Sequence, residues 1–365
     1  MKIKAITVAG TRPNFVKIAP LIKELERHKE VEQVFVHTGQ HYDKQLSKLF
    51  FRDLKIPKPD INLEVGSGSH ALQTGEVMVR FEKILHQIKP DLVVVVGDVN
   101  STLACALTAK KLGIRVAHVE AGLRSFDMSM PEEINRVMTD RIADFLFTTE
   151  ETANKNLMRE GIDKSKIFFV GNVMIDSLLG HREKAKSSRI MKRLGIEKRN
   201  YAVLTLHRPS NVDNESMFSR ILDIIDEIQK NIRVIYPIHP RSNGSMAKYK
   251  LLEKAKAMKN LTLTEPLGYL DFLCLMDNSK LILTDSGGIQ EEATVLNVPC
   301  ITLRNNTERP VTVEQGTNLI VSTDKTKIIK AAFKLAEKAD IKVRVPKLWD
   351  GKASKRIVEI ILKKI

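Results

Sequence analysis

Cysteine is scarce in this chain. There are three in 365 residues, Cys105, Cys274 and Cys300, each in apolar surroundings and none at metal-ligand spacing. They read as small core residues in a reducing compartment, so a cytoplasmic location is expected. Long apolar runs are missing too, and no stretch could span a bilayer. The opening MKIKAITVAGTRP starts basic, but its apolar positions alternate and Gly10 interrupts them at once. It reads as a first strand, not a signal peptide. Aromatic residues are only 5% of the chain and nowhere interleave with the lysines that give the net charge of +15. Without such a platform the charge belongs to solvated Lys-rich faces near 181–200, 325–342 and the C-terminus. Neither a nucleic-acid nor a membrane partner is expected. No GxGxxG follows the first strand, no P-loop occurs, and no HExxH-like spacing of histidine and carboxylate is present. This argues against a nicotinamide enzyme, an ATPase and a zinc enzyme, so neither cofactor nor metal is expected.

What is present is ample core material, 43% hydrophobic, in a chain longer than one core usually serves. Short apolar runs alternate with helical patterns. In the first half, strands are predicted at 3–9, 34–38, 92–96, 116–119, 145–148 and 167–170, with helices at 15–28 and 75–88. Ser101 or Thr102 is expected to cap the helix after Asp98. Gly171-Asn172-Val173 reads as a crossover. The pattern then restarts, with strands at 202–206, 234–238, 261–263, 281–284, 300–303 and 318–321. The expectation is an α/β protein of two doubly wound, Rossmann-like domains, 1–171 and 172–352, facing a cleft lined by the carboxyl ends of their strands.

The most informative stretch is Leu281 to Glu292, LILTDSGGIQEE. A buried strand, two glycines and a helix start make an anion site, because the first helix amides lack partners and the dipole favours negative charge. Ser286, Gly287 and Gly288 are the expected phosphate cradle, and Glu292 stands one turn on, within reach of a ribose hydroxyl.

Polar residues gather at the other strand ends: Arg12, Gln40, His41, Asp98 and Glu120 in the first half, His207, Arg208, His239, Arg241, Asp285 and Arg304 to Arg309 in the second. Each has a structural alternative; Asp98 could cap a helix and Glu120 could pair with Arg124. Their shared placement favours a site in which Arg12, Lys17 and Arg309 neutralise a diphosphate while carboxylates and His207 move protons. That combination fits chemistry on a nucleotide-activated sugar.

A set of motifs then occurs in order: GTRP with a following lysine and AP (Gly10 to Pro20), TGQH (Thr38 to His41), GD at Asp98, HVEAGLRS (His118 to Ser125) and PEEINR (Pro131 to Arg136). TLHR (Thr205 to Arg208), PIHP (Pro237 to Pro240), LTDSGGIQEEA (Leu283 to Ala293), RNNTERP (Arg304 to Pro310) and GKAS (Gly351 to Ser354) follow. Together they resemble the non-hydrolysing UDP-N-acetylglucosamine 2-epimerases from end to end. The resemblance implies a glycosyltransferase-B type fold, a C-terminal helix (353–365) returning to the first domain, and a homodimer. It implies interconversion of UDP-N-acetylglucosamine and UDP-N-acetylmannosamine by elimination and re-addition of UDP through bound 2-acetamidoglucal.

The family's catalytic groups fall on Asp98, Glu120, Glu132 and His207, with proton transfer at C2 given to Asp98 and Glu120 and support of the sugar and leaving diphosphate to Glu132 and His207. Which carboxylate removes the proton stays open, as does an exchange of roles between Glu132 and Glu133. Its binding residues fall on Arg12, Lys17, Arg136, His239, Phe272 beside the uracil, Ser286 to Gly288, Glu292 and Arg309. Gln40, His41 and Arg208 match parts of a regulatory substrate site of bacterial members. Ser69 and Asp43 depart from that site, so activation by a second substrate molecule is not expected. Alternatives are a hydrolysing epimerase releasing N-acetylmannosamine and UDP, and a UDP-sugar sensor without catalysis.

Overall fold

The computed structural model describes all residues except 1, 41–43, 323 and 338–343, with backbone alone for 44–48. Contacts divide the chain into two compact units, Met1–Gly180 with Lys347–Ile365, and His181–Pro346. Each holds one wholly parallel sheet, the doubly wound α/β class expected from the sequence.

The first unit runs β1 (Ile3–Ala9), α1 (Arg12–Leu25), β2 (Val31–His37), α2 (Lys44–Leu54), β3 (Ile61–Asn62), α3 (His70–Ile88), β4 (Leu92–Val96) and α4 (Asn100–Lys111). It continues with β5 (Arg115–Ala121), α5 (Pro131–Ile142), β6 (Phe145–Thr148), α6 (Glu151–Arg159) and β7 (Ile167–Phe169). α7 (Val173–Ala185) carries the chain across the unit boundary. The sheet order is β3-β2-β1-β4-β5-β6-β7. β4 (LVVVV) is buried at every position, as a strand covered on both faces must be.

The C-terminal segment is sewn onto this unit. Asp176 of α7 accepts hydrogen bonds from Ala353 N, Ser354 N and Ser354 Oγ, which gives the GKAS motif a structural purpose: its amides start the last helix on a buried carboxylate. Pro20 inside α1 has no N–H for the carbonyl of Val16, and Ser177 Oγ of α7 takes that oxygen instead, at 2.5 Å.

The second unit runs α8 (Ile190–Leu194), β8 (Tyr201–Thr205), α9 (Pro209–Val212), α10 (Glu215–Gln229), β9 (Arg233–Pro237), α11 (Pro240–Lys248) and α12 (Leu252–Lys256). Then follow β10 (Leu261–Thr264), α13 (Tyr269–Asn278), β11 (Leu281–Thr284), α14 (Gly287–Leu296), β12 (Cys300–Thr302), α15 (Val311–Glu314), β13 (Asn318–Ile320) and α16 (Lys325–Glu337). The remaining helix, α17 (Ala353–Lys364), packs on α1 in the first unit. The second sheet is ordered β10-β9-β8-β11-β12-β13. α10 shows how such a helix is specified: Asn214 caps it by accepting from Met217 N, and Phe218, Ile221, Leu222, Ile225 and Ile228 bury one face.

In each sheet the strand order reverses at one place, between β1 and β4 in the first and between β8 and β11 in the second. Doubly wound sheets bind ligands outside the carboxyl ends of the strands at that reversal. The turns there are Gly10–Arg12 and Gly97–Asp98 in the first unit, and Leu206–Arg208 and Asp285–Gly287 in the second.

The expected cap of α4 is corrected. The helix begins at Asn100, so Ser101 and Thr102 lie inside its first turn. Thr102 Oγ1 donates back to Val96 O, and the N-terminal amide of Ser101 is capped by the side chain of Gln40.

Candidate active site

In the first unit, the β1–α1 turn is tied to the end of β4 by one side chain. Asn14 Oδ1 accepts from Gly10 N, Thr11 N and Thr11 Oγ1, and its amide donates to Val96 O. The same helix aims Lys17 across the reversal point. Its ammonium is buried and lies 2.8 and 2.7 Å from the two carboxylate oxygens of Glu120. Lys17, expected against a diphosphate, is thus engaged with an expected catalytic carboxylate. The alternative pairing of Glu120 with Arg124 is corrected: Arg124 binds Asp140 and Glu160 instead. Arg12, half-buried, has its guanidinium 6.0 Å from the Phe50 ring centre.

Asp98 sits on the turn after β4, with Oδ2 2.5 Å from Arg136 Nη1. Its carbonyl accepts from Asn135 Nδ2. Arg136 is itself 1% exposed and is held by Glu133, whose carboxylate also accepts the amides of Ser125 and Phe126. Glu133 is therefore spent on the loop before α5. Glu132, its neighbour, stays half-buried. Gln40 is buried, its side-chain carbonyl taken by the amide and hydroxyl of Ser101. His41 lies outside the described residues.

In the second unit, β11 pairs with β8 in a register that sets Thr284 opposite Thr205. The residues just beyond both strands therefore meet. Asp285, fully buried, accepts from the amides of His207 and Arg208 and from Asn211 Nδ2, and its Oδ1 lies 2.9 Å from His207 Nδ1. Burial opposes the Asp285 charge, but the imidazole and the amides outweigh it and hold the carboxyl at about 2. With Nδ1 so oriented, Nε2 is the ring nitrogen left for another partner. The His239 ring stands 5.5 Å away, and its Nδ1 accepts Arg241 N at the start of α11.

Ser286 is the N-cap of α14, and its own amide donates to Thr284 Oγ1. Gly287 has a packing reason to be glycine: a Cβ there would stand 2.4 Å from Arg309 Nη1 and 2.6 Å from Glu308 Oε1. Arg309 is buried, with Nε 2.9 Å from Glu291 and Nη1 2.6 Å from Glu308, and Arg304 and Arg208 also reach Glu308. Three arginines and two carboxylates thus crowd the start of α14. Phe272 is half-buried on α13. One turn before it, Tyr269 donates to Glu292 at 3.0 Å. Burial pushes the Glu292 carboxyl up to about 8; the tyrosine hydroxyl lowers it and neighbouring Glu291 raises it.

The structure brings Lys17 to Glu120, Asp98 to Arg136, His207 to His239, and Gly287 to Arg309. Among the described residues, no group of three or more His, Cys, Asp or Glu could hold a metal ion, and no helix is long and apolar enough to cross a membrane. Sequence reasoning gave no role to Tyr269, Glu308 or His118. Asp285 was placed with the polar residues at the strand ends but not paired with His207, although it directly follows a strand next to the one that delivers that histidine.

The family model described as UDP-N-acetylglucosamine 2-epimerase matches residues 23–362. The UDP-N-acetylglucosamine 2-epimerase of Methanocaldococcus jannaschii is 46% identical over 369 residues, covering 98% of this chain and 99% of that protein. The UDP-2,3-diacetamido-2,3-dideoxy-D-glucuronate 2-epimerase of Pseudomonas aeruginosa is 39% identical over 365 residues, covering 99% and 100%. A crystal structure of the Methanocaldococcus jannaschii enzyme in complex with UDP-GlcNAc and UDP superposes with a TM-score of 0.94, covering 99% of this chain and 100% of that one. On a match that runs nearly end to end, with the two parallel α/β sheets of the glycosyltransferase-B type, the chain belongs to the UDP-N-acetylglucosamine 2-epimerase family.

Proposed function

We propose that the protein inverts C2 of UDP-N-acetylglucosamine to give UDP-N-acetylmannosamine, and the reverse, without releasing free sugar. The observation that carries this is the pairing of a carboxylate with a buried cation at two strand ends of the first unit, Glu120 with Lys17 and Asp98 with Arg136, in a chain of this family. The C2 proton has no neighbouring carbonyl to acidify it. A direct deprotonation is therefore closed, and elimination is the accessible route: UDP leaves C1 as the C2 proton departs, giving bound 2-acetamidoglucal. UDP then adds back while a proton arrives on the other face. Two faces need two proton-transfer groups, and Asp98 and Glu120 fill those roles.

His207, its tautomer fixed by Asp285, presents Nε2 to the sugar and leaving diphosphate, with Glu132 as the second supporting group. The first unit offers the cations Arg12, Lys17 and Arg136, and the second offers His239 and Arg309. Ser286, Gly287 and Gly288 at the start of α14 take phosphate, Glu292 the ribose hydroxyls, and Phe272 the uracil edge. The higher identity to the UDP-N-acetylglucosamine enzyme, 46% against 39%, favours that sugar over the diacetamido-uronate. We propose further that the chain is a homodimer. Leu72 and Val79 on α3, Ile134 and Met138 on α5, and Phe126 and Met128 in the loop before α5 are all exposed apolar side chains of one unit.

Incubation with UDP-N-acetylglucosamine in D₂O, followed by NMR of the sugar, tests the reading. Deuterium at C2 of both epimers, each still nucleotide-bound, is expected. Free N-acetylmannosamine with UDP would assign a hydrolysing enzyme, and binding of UDP without exchange would assign a sensor.

A further inference from the structure

We infer that the buried His118–Asp140 pair is a positioning device for both proton-transfer carboxylates, fixing the main chain just before Asp98 and just after Glu120. The inference rests on the roles given to Asp98 and Glu120 above.

His118 lies within β5 and is fully buried. Its Nδ1 is 2.7 Å from Asp140 Oδ1, and its Nε2 is 2.8 Å from the carbonyl of Gly97. A carboxylate and a carbonyl offer only lone pairs, so both contacts are hydrogen bonds only when the ring holds a proton on each nitrogen. Asp140, on α5, gives its other oxygen to Gly122 N at 3.0 Å and to Arg124 Nη1 at 2.7 Å. Burial works against the Asp140 charge, and His118 and Arg124 together outweigh it. Arg124 passes on to Glu160 through two hydrogen bonds of 2.7 Å. One ring and one carboxylate therefore join the turn after β4 to the turn after β5. Asp98 follows Gly97 directly, and Glu120 stands two residues before Gly122.

Stability alone does not call for this arrangement. The buried Asp140 carboxylate and its Arg124 partner carry a desolvation cost, and apolar residues of the same volume commonly serve a core as well or better. What apolar residues could not do is hold a carbonyl and an amide at set positions.

A second observation points the same way. Glu120 has φ +75, in the left-handed region where a residue other than glycine is strained, and the register of β5 on β6 slips between Val119 and Ala121. This bulge re-aims the Glu120 side chain. It is clamped on both sides: Gly97 N donates to Val119 O before it, and after it Gly122 is held by Asp140 on its amide and by Asn156 on its carbonyl. A Cβ on Gly122 would stand 2.6 Å from Ala153 O, so only glycine fits this close approach to α6. The pair thus sustains a strained backbone under one carboxylate while tethering the turn that carries the other.

The test uses the full chain and three variants. His118→Asn keeps a donor toward Asp140 and loses Gly97; His118→Gln keeps a donor toward Gly97 and loses Asp140; Asp140→Asn removes the charge with little change of shape. Each is assayed for kcat, KM, deuterium uptake at C2 and melting temperature. A misplacement of about 1 Å costs on the order of a hundredfold in rate. The variants should therefore lose at least about tenfold in kcat and in C2 exchange, with KM within about threefold. Loss of rate explained wholly by the unfolded fraction, or a wild-type kcat in a folded variant, overturns the inference. Should the His118 variants not fold, Asp140→Asn decides. A wild-type protein inert toward the UDP-sugar would remove the epimerase reading and the proton-transfer roles with it, leaving only the main-chain positioning to be judged. The amide resonance of Asp98, on the turn that His118 rather than Asp140 contacts, would then settle the positioning, shifting in Asp140→Asn if it holds and staying put if it does not.

Discussion

The affinity for UDP should rise with pH through the range where Glu292 ionises, and Tyr269→Phe should move that range upward. Glu292 is fully buried, and its carboxyl is pushed up to about 8 by burial, against the lowering effect of the Tyr269 hydroxyl 3.0 Å away. Below that value the group is neutral; above it, a carboxylate. Ribose hydroxyls donate, so they bind the carboxylate better than the acid. If only the ionised form binds, roughly one molecule in ten is competent at pH 7 and about nine in ten at pH 9, so affinity should rise about tenfold between them.

Removing the tyrosine hydroxyl deletes a hydrogen bond to a charged group, worth about 1.5–3 kcal/mol, or roughly one to two pKa units further up. The variant should bind UDP about tenfold to a hundredfold more weakly at pH 7, with the deficit closing in alkaline solution. Calorimetry in buffers of differing ionisation enthalpy checks this directly, because binding below pH 8 must release a proton. The terminal phosphate of UDP titrates on its own near pH 6, so the comparison belongs at pH 7 and above. A flat affinity from pH 7 to 9 with no proton released would refute the reasoning.

The same group makes a stability prediction. The folded-state value of Glu292 lies above its unfolded one of 4.5, so its contribution is fully present below that value and is lost as pH rises through about 8. Glu292→Gln should melt higher than wild type at pH 8.5, with the gap shrinking toward pH 5, as differential scanning calorimetry would read. Asp98→Asn and Glu120→Gln should each lower turnover by about two orders of magnitude or more while UDP binding is largely kept. Because Glu120→Gln also strips the partner from buried Lys17, its melting curve accompanies the kinetics. Gly287→Ala should weaken UDP binding by about tenfold or more in equilibrium titration, since its Cβ would displace the Arg309 guanidinium at 2.4 Å beside the helix start.

How much of this could be read from the residues alone depends on how local each cause is. Strands announced themselves wherever both faces are buried: Leu92–Val96 and Leu281–Thr284 were placed to the residue, because an unbroken apolar run between turn residues leaves little choice. Helix starts were missed where a partner distant in sequence sets them. α4 begins at Asn100 because Gln40, sixty-one residues earlier, caps the amide of Ser101, and no local pattern carries that information. α1 is the exception: it begins at Arg12 rather than Phe15 for a local reason, Asn14 gathering the amides of the turn three and four residues before it.

The candidate site followed the same division. Strand-end placement marked Asp98, Glu120 and His207 as a group, since doubly wound topology puts function there whatever the chemistry. The partner of each did not follow. Lys17 reaches Glu120 across one hundred and three residues, and Arg124, nearer in sequence, goes elsewhere because Asp140 and Glu160 compete for it. Glu132 and Glu133 were indistinguishable as letters. They differ once α5 turns Glu133 inward onto Arg136 and the amides of Ser125 and Phe126, while Glu132 beside it stays half-buried. Sequence thus names the groups that carry charge at a strand end, and the contacts made through the interior decide which partner each of them meets.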